Sequence, residues 1–403
     1  MNSDVIVIGL GAMGSAACYQ LAKRGAKVIG IDRYSPPHSL GSTHGDTRIT
    51  RLAIGEGEQF VPFAIRSHEI WRELESAGGV ELMTTTGGLI MSAASGGSLH
   101  GSTNFLQTTI NAAKKFGIKH RVLNSDEITA EFPQFVLDGD EVGYFEDAAG
   151  FLRPERCVRA QLNLAEKLGA EIRLNERVLR VEKDGSGVKV VTEIGNYSAA
   201  TAIISVGPWV GEFGEFVRGA AHLFKVYRQV LYWFDVSAAY GQYVPGKFPI
   251  FIRSLGRASG DFFYGFPAID GPDGGLKLAS EEYLATTPPE QVNRTVTDAE
   301  ALHIYRNYVA GRLAYIGERC VRSAVCLYTS TPDSNFVIDR VDENVLLASP
   351  CSGHGFKHSA AIGETLAELA LTRRSKIDTS PFSIATSSEL LARFPDREPE
   401  RSE

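Results

Sequence analysis

Residues 4–32 constrain this chain more than any other stretch. Two short apolar runs, residues 5–9 and 27–32, flank a segment that predicts a helix over 12–24. The first run ends in Gly9-Leu10-Gly11-Ala12-Met13-Gly14. Glycines at this spacing, between a strand and a helix, suit a dinucleotide. Gly9 permits the tight turn, Gly11 lets a pyrophosphate approach the backbone, and Gly14 lets the helix pack on the strand. The leading amides of the helix, at Ala12 and Met13, then face the phosphates. Asp32 closes the second run about 20 residues on, where a carboxylate accepts hydrogen bonds from ribose hydroxyls; Arg33 follows it. The pattern alone does not separate FAD from NAD.

At 403 residues the chain exceeds one ordinary core, and two domains are expected. Its 43% apolar and 22% charged residues fit a folded globular protein and argue against disorder. A net charge of −7 removes the electrostatic case for nucleic acid or an anionic membrane as partner. No apolar run is long enough to span a bilayer. The five cysteines (18, 157, 320, 326 and 351) lack metal or disulfide spacing, so a reducing cytoplasm and no metal site are expected. The N-terminus enters a strand with no secretory leader, and the final Arg-Ser-Glu is not a peroxisomal signal.

Pieces of a nucleotide fold recur along the chain. Residues 171–174, 178–183 and 189–192 read as strands, with Asp184-Gly185 as a hairpin turn and Val178 opening the second strand. Residues 202–206 form a buried-type strand that ends at Gly207-Pro208-Trp209. The intervening stretches are rich in aromatics such as Tyr232, Trp233, Phe262, Phe263 and Tyr264. The expected fold class is α/β: a discontinuous Rossmann-type domain (1–84, 151–214 and 322–385) interrupted by a substrate domain (85–150 and 215–321). The substrate domain is expected to hold a mixed or antiparallel sheet, and residues 386–403 form a tail.

Two further blocks carry candidate chemistry. In Gly41-Ser42-Thr43-His44-Gly45-Asp46-Thr47-Arg48-Ile49-Thr50-Arg51, small residues suit a backbone running close under a flat ring. Arg48 and Arg51 are three apart, so on a helical turn they would share a face and frame one anion; the alternative is a solvated surface pair. The second block, residues 324–357, reads as a strand carrying Cys326 and Tyr328, a turn at Pro332-Asp333, and strands over 336–338 and 345–348. A loop with Cys351, Gly353, Gly355, Phe356 and Lys357 then opens a helix over 359–370. A lone cysteine on an apolar strand is usually an inert core residue, which is the expectation for Cys18, Cys157 and Cys320.

Together these blocks resemble the monomeric sarcosine oxidase and N-methyltryptophan oxidase family, flavoenzymes that oxidise secondary amines, along essentially the whole chain. The late strand ending at Gly207, with Trp209, resembles the second FAD contact region of that family and so favours FAD. The string Cys-Leu-Tyr-Thr-x-Thr-Pro-Asp from Cys326 matches the position where the family bonds flavin covalently, as a thioether. The 41–51 string, with Ser42, Thr43 and His44, looks like the loop beside the isoalloxazine, Arg48 lying by the ring. Arg51 and Lys357 then take the substrate carboxylate, Tyr264 and Tyr328 wall the pocket, and Gly353 and Gly355 bring amides to the flavin pyrimidine ring. Lys277 corresponds to the lysine that helps reduced flavin react with oxygen.

The implied activity is oxidation of an N-methyl or other N-alkyl amino acid. Hydride passes to FAD, the imine hydrolyses (yielding formaldehyde from an N-methyl group), and O2 becomes H2O2. The implied partners are a small amine and O2, and the implied state is a monomer, with a homodimer as the alternative. One residue departs from the pattern. Glu281 stands where the family carries histidine, and fructosyl-amine oxidases carry glutamate at that spacing. On a continuing strand it would share a face with Lys277, or else face solvent. A fructosyl-amino-acid oxidase is thus one alternative. An NAD-dependent dehydrogenase is another, but it leaves the Cys326 and Lys357 blocks unexplained.

Overall fold

A computed structural model describes residues 2–93, 96–100, 102–214, 216, 220–256 and 260–386; the expected tail lies outside them from residue 387 on. Asn2–Ile8 is a central strand of an eight-stranded sheet, parallel to Val28–Ile31 on one side and Asn196–Ile204 on the other. Glu171–Arg173 and Val345–Ser349 extend these flanks, again in parallel. Every residue of Val28–Ile31 and of Val345–Ser349 is buried, as strands covered on both faces require. Val5 and Val7 pack with Ala17, Leu21 and Leu366 on one face. Ile6 and Ile8 pack with Val210 and Val337 on the other, the two-residue alternation of a strand. Val178–Asp184 and Gly187–Thr192 form a hairpin that pairs onto the first half of Asn196–Ile204.

The second sheet also has eight strands, in the order Cys320–Ser330, Lys225–Phe234, Leu276–Ala279, Phe262–Gly265, Ile250–Ser254, Gly88–Ser92, Val142–Glu146 and Arg121–Asn124. Pairing is antiparallel except between Ile250–Ser254 and Gly88–Ser92. The strand bearing Cys326 is paired along its length with Lys225–Phe234. It therefore belongs to this sheet, which corrects the domain boundary expected at 322. The α/β architecture is otherwise as expected: a largely parallel, helix-covered sheet beside a mixed one.

A three-stranded sheet lies between them in sequence, Gly150–Leu152 pairing antiparallel with both Arg48–Thr50 and Met83–Thr85. Arg48 and its successors are thus extended, not helical. β-Branched Ile49 and Thr50 suit a strand, and side chains three apart on a strand leave from opposite faces. The expectation that Arg48 and Arg51 frame one anion fails for that reason. Among the described residues no helix is long and apolar enough to cross a membrane.

The helix Ala12–Lys23 approaches its strand so closely that a Cβ on Gly14 would lie 1.8 Å from the Gly9 carbonyl oxygen. Gly14→Ala should therefore cost about 3 kcal/mol, the upper end of ordinary overpacking, because backbone and not a flexible side chain must yield. Gly211, where a Cβ would meet nothing within 4 Å, is the control. Urea unfolding of both alanine variants checks the difference, and equal midpoints would contradict the close approach.

Candidate active site

A cleft runs from the loop at residues 9–14 to Glu281. At its first end Gly9 adopts φ +84, and the helix Ala12–Lys23 starts at Gly11 with no side chain capping it and no acid in its first turn. Its leading amides are thus left for an anion. A Cβ on Gly11 would meet nothing nearer than Thr43 Oγ1 at 3.9 Å, so space remains above the turn. Asp32 lines this end and accepts hydrogen bonds from the amides of Leu10 (2.7 Å) and Tyr34 (2.8 Å), which fix its carboxylate. Val178, Gly207 and Trp209 line the same end, and Arg33 stacks over Trp209. These residues fit FAD. The amides of Ala12 and Met13 would hold the pyrophosphate and Asp32 the ribose.

In the middle of the cleft Ser42, Thr43, Arg48, Gly353, Gly355 and Phe356 form the wall. Arg48 donates from Nη2 to the Ser42 carbonyl at 2.8 Å and to Cys326 Sγ at 3.5 Å. Cys326 is fully buried and also meets the Ser42 carbonyl, at 3.3 Å. Cys326, Lys277 and His44 stand behind the wall. Lys277 Nζ donates to the carbonyls of Gly45 (2.6 Å) and Thr47 (2.7 Å) and to Thr47 Oγ1 (3.2 Å), the full set of three bonds that an ammonium can give. Burial, then Arg48, lowers its pKa well below the usual lysine value. His44 is pushed down to about 3 by burial and by Arg48, so it is neutral.

The far end is a chain of buried charges. Glu56 Oε2 receives Arg51 Nη2 at 2.6 Å, and Lys357 Nζ lies 3.5 Å from Glu56 Oε1. His100 bridges two carboxylates, with Nδ1 3.4 Å from Glu56 Oε1 and Nε2 2.8 Å from Glu281 Oε2. The Tyr283 hydroxyl donates to the same Glu281 oxygen at 2.6 Å. Burial alone would raise the Glu56 carboxyl, but Arg51 and Lys357 hold it well below its usual range. Burial opposes charge on His100, yet Glu281 and Glu56 raise it to about 9. Lys357 is lowered by burial to about 8 against the pull of Glu56. Tyr264 and Tyr328 close the wall, their hydroxyls 3.3 Å apart, and burial raises both phenols so that they stay protonated.

Two expectations change here. The strand Leu276–Ala279 stops before Glu281, which turns to His100 and Tyr283, not to Lys277 or solvent. Cys320 is half-exposed at a strand end, its thiol donating to the Arg322 carbonyl at 3.0 Å, and is not a core residue. Cys18 and Cys157 are fully buried. Sequence reasoning missed Glu56 and His100. The Gly55-Glu56-Gly57 triplet was the available signal for the first; nothing local marks the second.

The family described as FAD dependent oxidoreductase matches residues 4–369. The monomeric sarcosine oxidase of Streptomyces avermitilis is 37% identical over 372 residues, spanning 92% of this chain and 94% of its own length. The N-methyl-L-tryptophan oxidase of Salmonella dublin is 32% identical over 396 residues, spanning 96% and 100%. The solved structure of NikD, an unusual amino acid oxidase, in its open form superposes with a TM-score of 0.78 at 21% identity, covering 95% of this chain and 97% of that one. The fold, the glycine-lined nucleotide cleft and these matches agree: the chain belongs to the FAD dependent oxidoreductase family.

Proposed function

We propose that this protein oxidises secondary amines, N-alkyl amino acids above all, with O2 as the final acceptor. The observation that carries this reading is at the far end of the cleft. Two buried cations from distant parts of the chain, Arg51 and Lys357, converge on one carboxylate, that of Glu56. The site is thus already shaped for a carboxylate group, which a substrate α-carboxylate would exploit. When bound, FAD supplies the two-electron acceptor for the C–H bond beside the nitrogen and passes those electrons to O2. The chain's own part is positional and electrostatic. Arg51 and Lys357 hold the carboxylate, and Tyr264 and Tyr328 exclude water. Lys277 ties the Gly45 and Thr47 carbonyls behind the wall, and in its protonated form would favour the negative charge that oxygen acquires. No strong base is needed if the amine binds unprotonated, and His44 and the two phenols stay neutral.

Glu281, buried in the cleft, favours one second reading, a fructosyl-amino-acid oxidase. A panel of N-methyl and N-fructosyl amino acids, mixed anaerobically with the holoenzyme and then assayed for peroxide in air, tests both. Bleaching of the flavin by an N-methyl member supports the main reading, and bleaching confined to N-fructosyl members the second. If no amine bleaches it, both fall.

The clamp predicts that Arg51→Ala or Lys357→Ala weakens carboxylate substrates by about ten- to a hundredfold, while an amine lacking the carboxylate is far less affected. Lys357 binds an anion only while protonated. Affinity should therefore hold below pH about 8 and fall as pH rises through it, and Lys357→Met should lose that limb. Equal losses for both substrate types would contradict the clamp. Cys326 is proposed to bond FAD covalently. Acid-precipitated wild type should keep its yellow colour, Cys326→Ser should release free FAD, and a colourless wild-type pellet would dismiss the link.

A further inference from the structure

The far end of the cleft holds more charge than a carboxylate clamp needs. Arg51, Lys357 and His100 are basic, Glu56 and Glu281 acidic, and the side chains of all five are at most 8% exposed and joined by contacts of 3.5 Å or less. His354, 3.9 Å from Glu56 Oε1, adds nothing to the count, because burial keeps its imidazole neutral. We propose that His100 is a specificity-determining residue: wedged between Glu281 and Glu56, its imidazolium leaves the cluster with one uncompensated positive charge, which selects a substrate bearing a single carboxylate.

Three considerations support this. First, geometry gives His100 a carboxylate near each ring nitrogen. Glu281 is in hydrogen-bond contact with Nε2 at 2.8 Å and Glu56 lies 3.4 Å from Nδ1 without a hydrogen bond, and two carboxylates this close favour the protonated ring. Second, without that proton Glu56 and Glu281 would be matched by Arg51 and Lys357 alone, and the cluster would be neutral. A neutral cluster gives little net attraction to an anion, because a carboxylate drawn to the clamp is repelled by two others nearby. Third, His100 faces the cleft beside Glu281, so its charge acts across low-dielectric space where bulk water does not screen it. Glu281 is then the partner that keeps His100 charged, and not an independent contact for the substrate. The proposal rests on the reading that a substrate carboxylate meets Arg51 and Lys357, and its test separates the two.

Acetate and its neutral counterpart acetamide serve as probes, titrated into FAD-loaded enzyme by calorimetry and followed by the flavin absorbance. Wild type should prefer acetate. His100→Gln should weaken acetate by about tenfold or more while acetamide changes by less than about threefold, the scale of a unit charge acting across a partly buried site. His100→Gln combined with Glu281→Gln restores the count of one positive charge, and acetate affinity should return to within about threefold of wild type. A purely structural role for His100 would not be rescued by a second buried substitution. Should His100→Gln alone fail to load flavin, Glu281→Gln carries the test. His100 still faces Glu56 in that variant, the count rises by one, and acetate should bind about tenfold tighter. A double variant that does not recover, parallel losses for acetate and acetamide, or unchanged acetate binding in both single variants would overturn the proposal. If wild type itself shows no preference for acetate, the carboxylate reading falls and takes the proposal with it. If wild type prefers acetate and His100→Gln keeps that preference, only the proposal falls.

Discussion

One buried carboxylate organises the far end of this cleft. Glu56 lies within 4 Å of Arg51, Lys357, His100 and His354, side chains delivered by widely separated stretches of chain. Removing an ion from water costs several kcal/mol, recovered only when the partners sit in good geometry. Each of these segments is therefore confined to positions that keep the charges matched. Leaving Arg51 unpaired at 2% exposure would be the most costly failure. The ion pairs need not add net stability for this to hold. They penalise every arrangement in which the 96–100 segment or the 350–357 loop shifts away from Glu56, and so fix these segments relative to one another.

The segment that carries Ser42, Arg48, Arg51 and Glu56 has little regular structure beyond the strand Arg48–Thr50. Its residues are buried or half-buried all the same, and their peptide groups must find partners. Two further carboxylates supply them. Glu155 Oε1 accepts from the amides of Gly45 (2.6 Å) and Asp46 (3.2 Å). Glu146 accepts from those of Leu52 (2.7 Å) and Ala53 (3.1 Å) and from the Tyr144 hydroxyl. Lys277 closes the other side by taking the Gly45 and Thr47 carbonyls. Charged side chains here do the work that a ladder of backbone bonds does elsewhere. The loop along the cleft is thus held without adding a strand that would fill it.

What could be read beforehand follows the range of the forces involved. The turn at residues 9–14, the helix behind it and the buried strands were legible because glycine spacing and apolar runs act locally. Arg48 and Arg51 were misread because spacing was applied where pairing decides: Gly150–Leu152, far along the chain, draws Arg48–Thr50 into a sheet. The strand bearing Cys326 was assigned to the wrong sheet for the same reason, its partner Lys225–Phe234 lying about a hundred residues away. Glu281 was singled out by its departure from a familiar pattern. Its expected partner was wrong because period two was carried past Ala279, where the strand ends. Glu56 and His100 gain their meaning only from contacts across the fold, which no local pattern encodes.

Gly353 shows how closely the nucleotide end and the charged end are tied. It adopts φ +77 in the turn that leads through Phe356–His358 into the helix Ser359–Thr372, a conformation that side chains rarely take. A Cβ there would also lie 2.9 Å from His100 Nε2 and 3.1 and 3.2 Å from the two Glu281 oxygens. The same missing methyl group thus serves two ends. It lets the chain bend into the loop that lines the cleft, and it leaves room for the imidazole–carboxylate bridge between His100 and Glu281. A larger residue would have to push Glu281 away from His100, and the bridge would then fail through geometry, with every charged group still present.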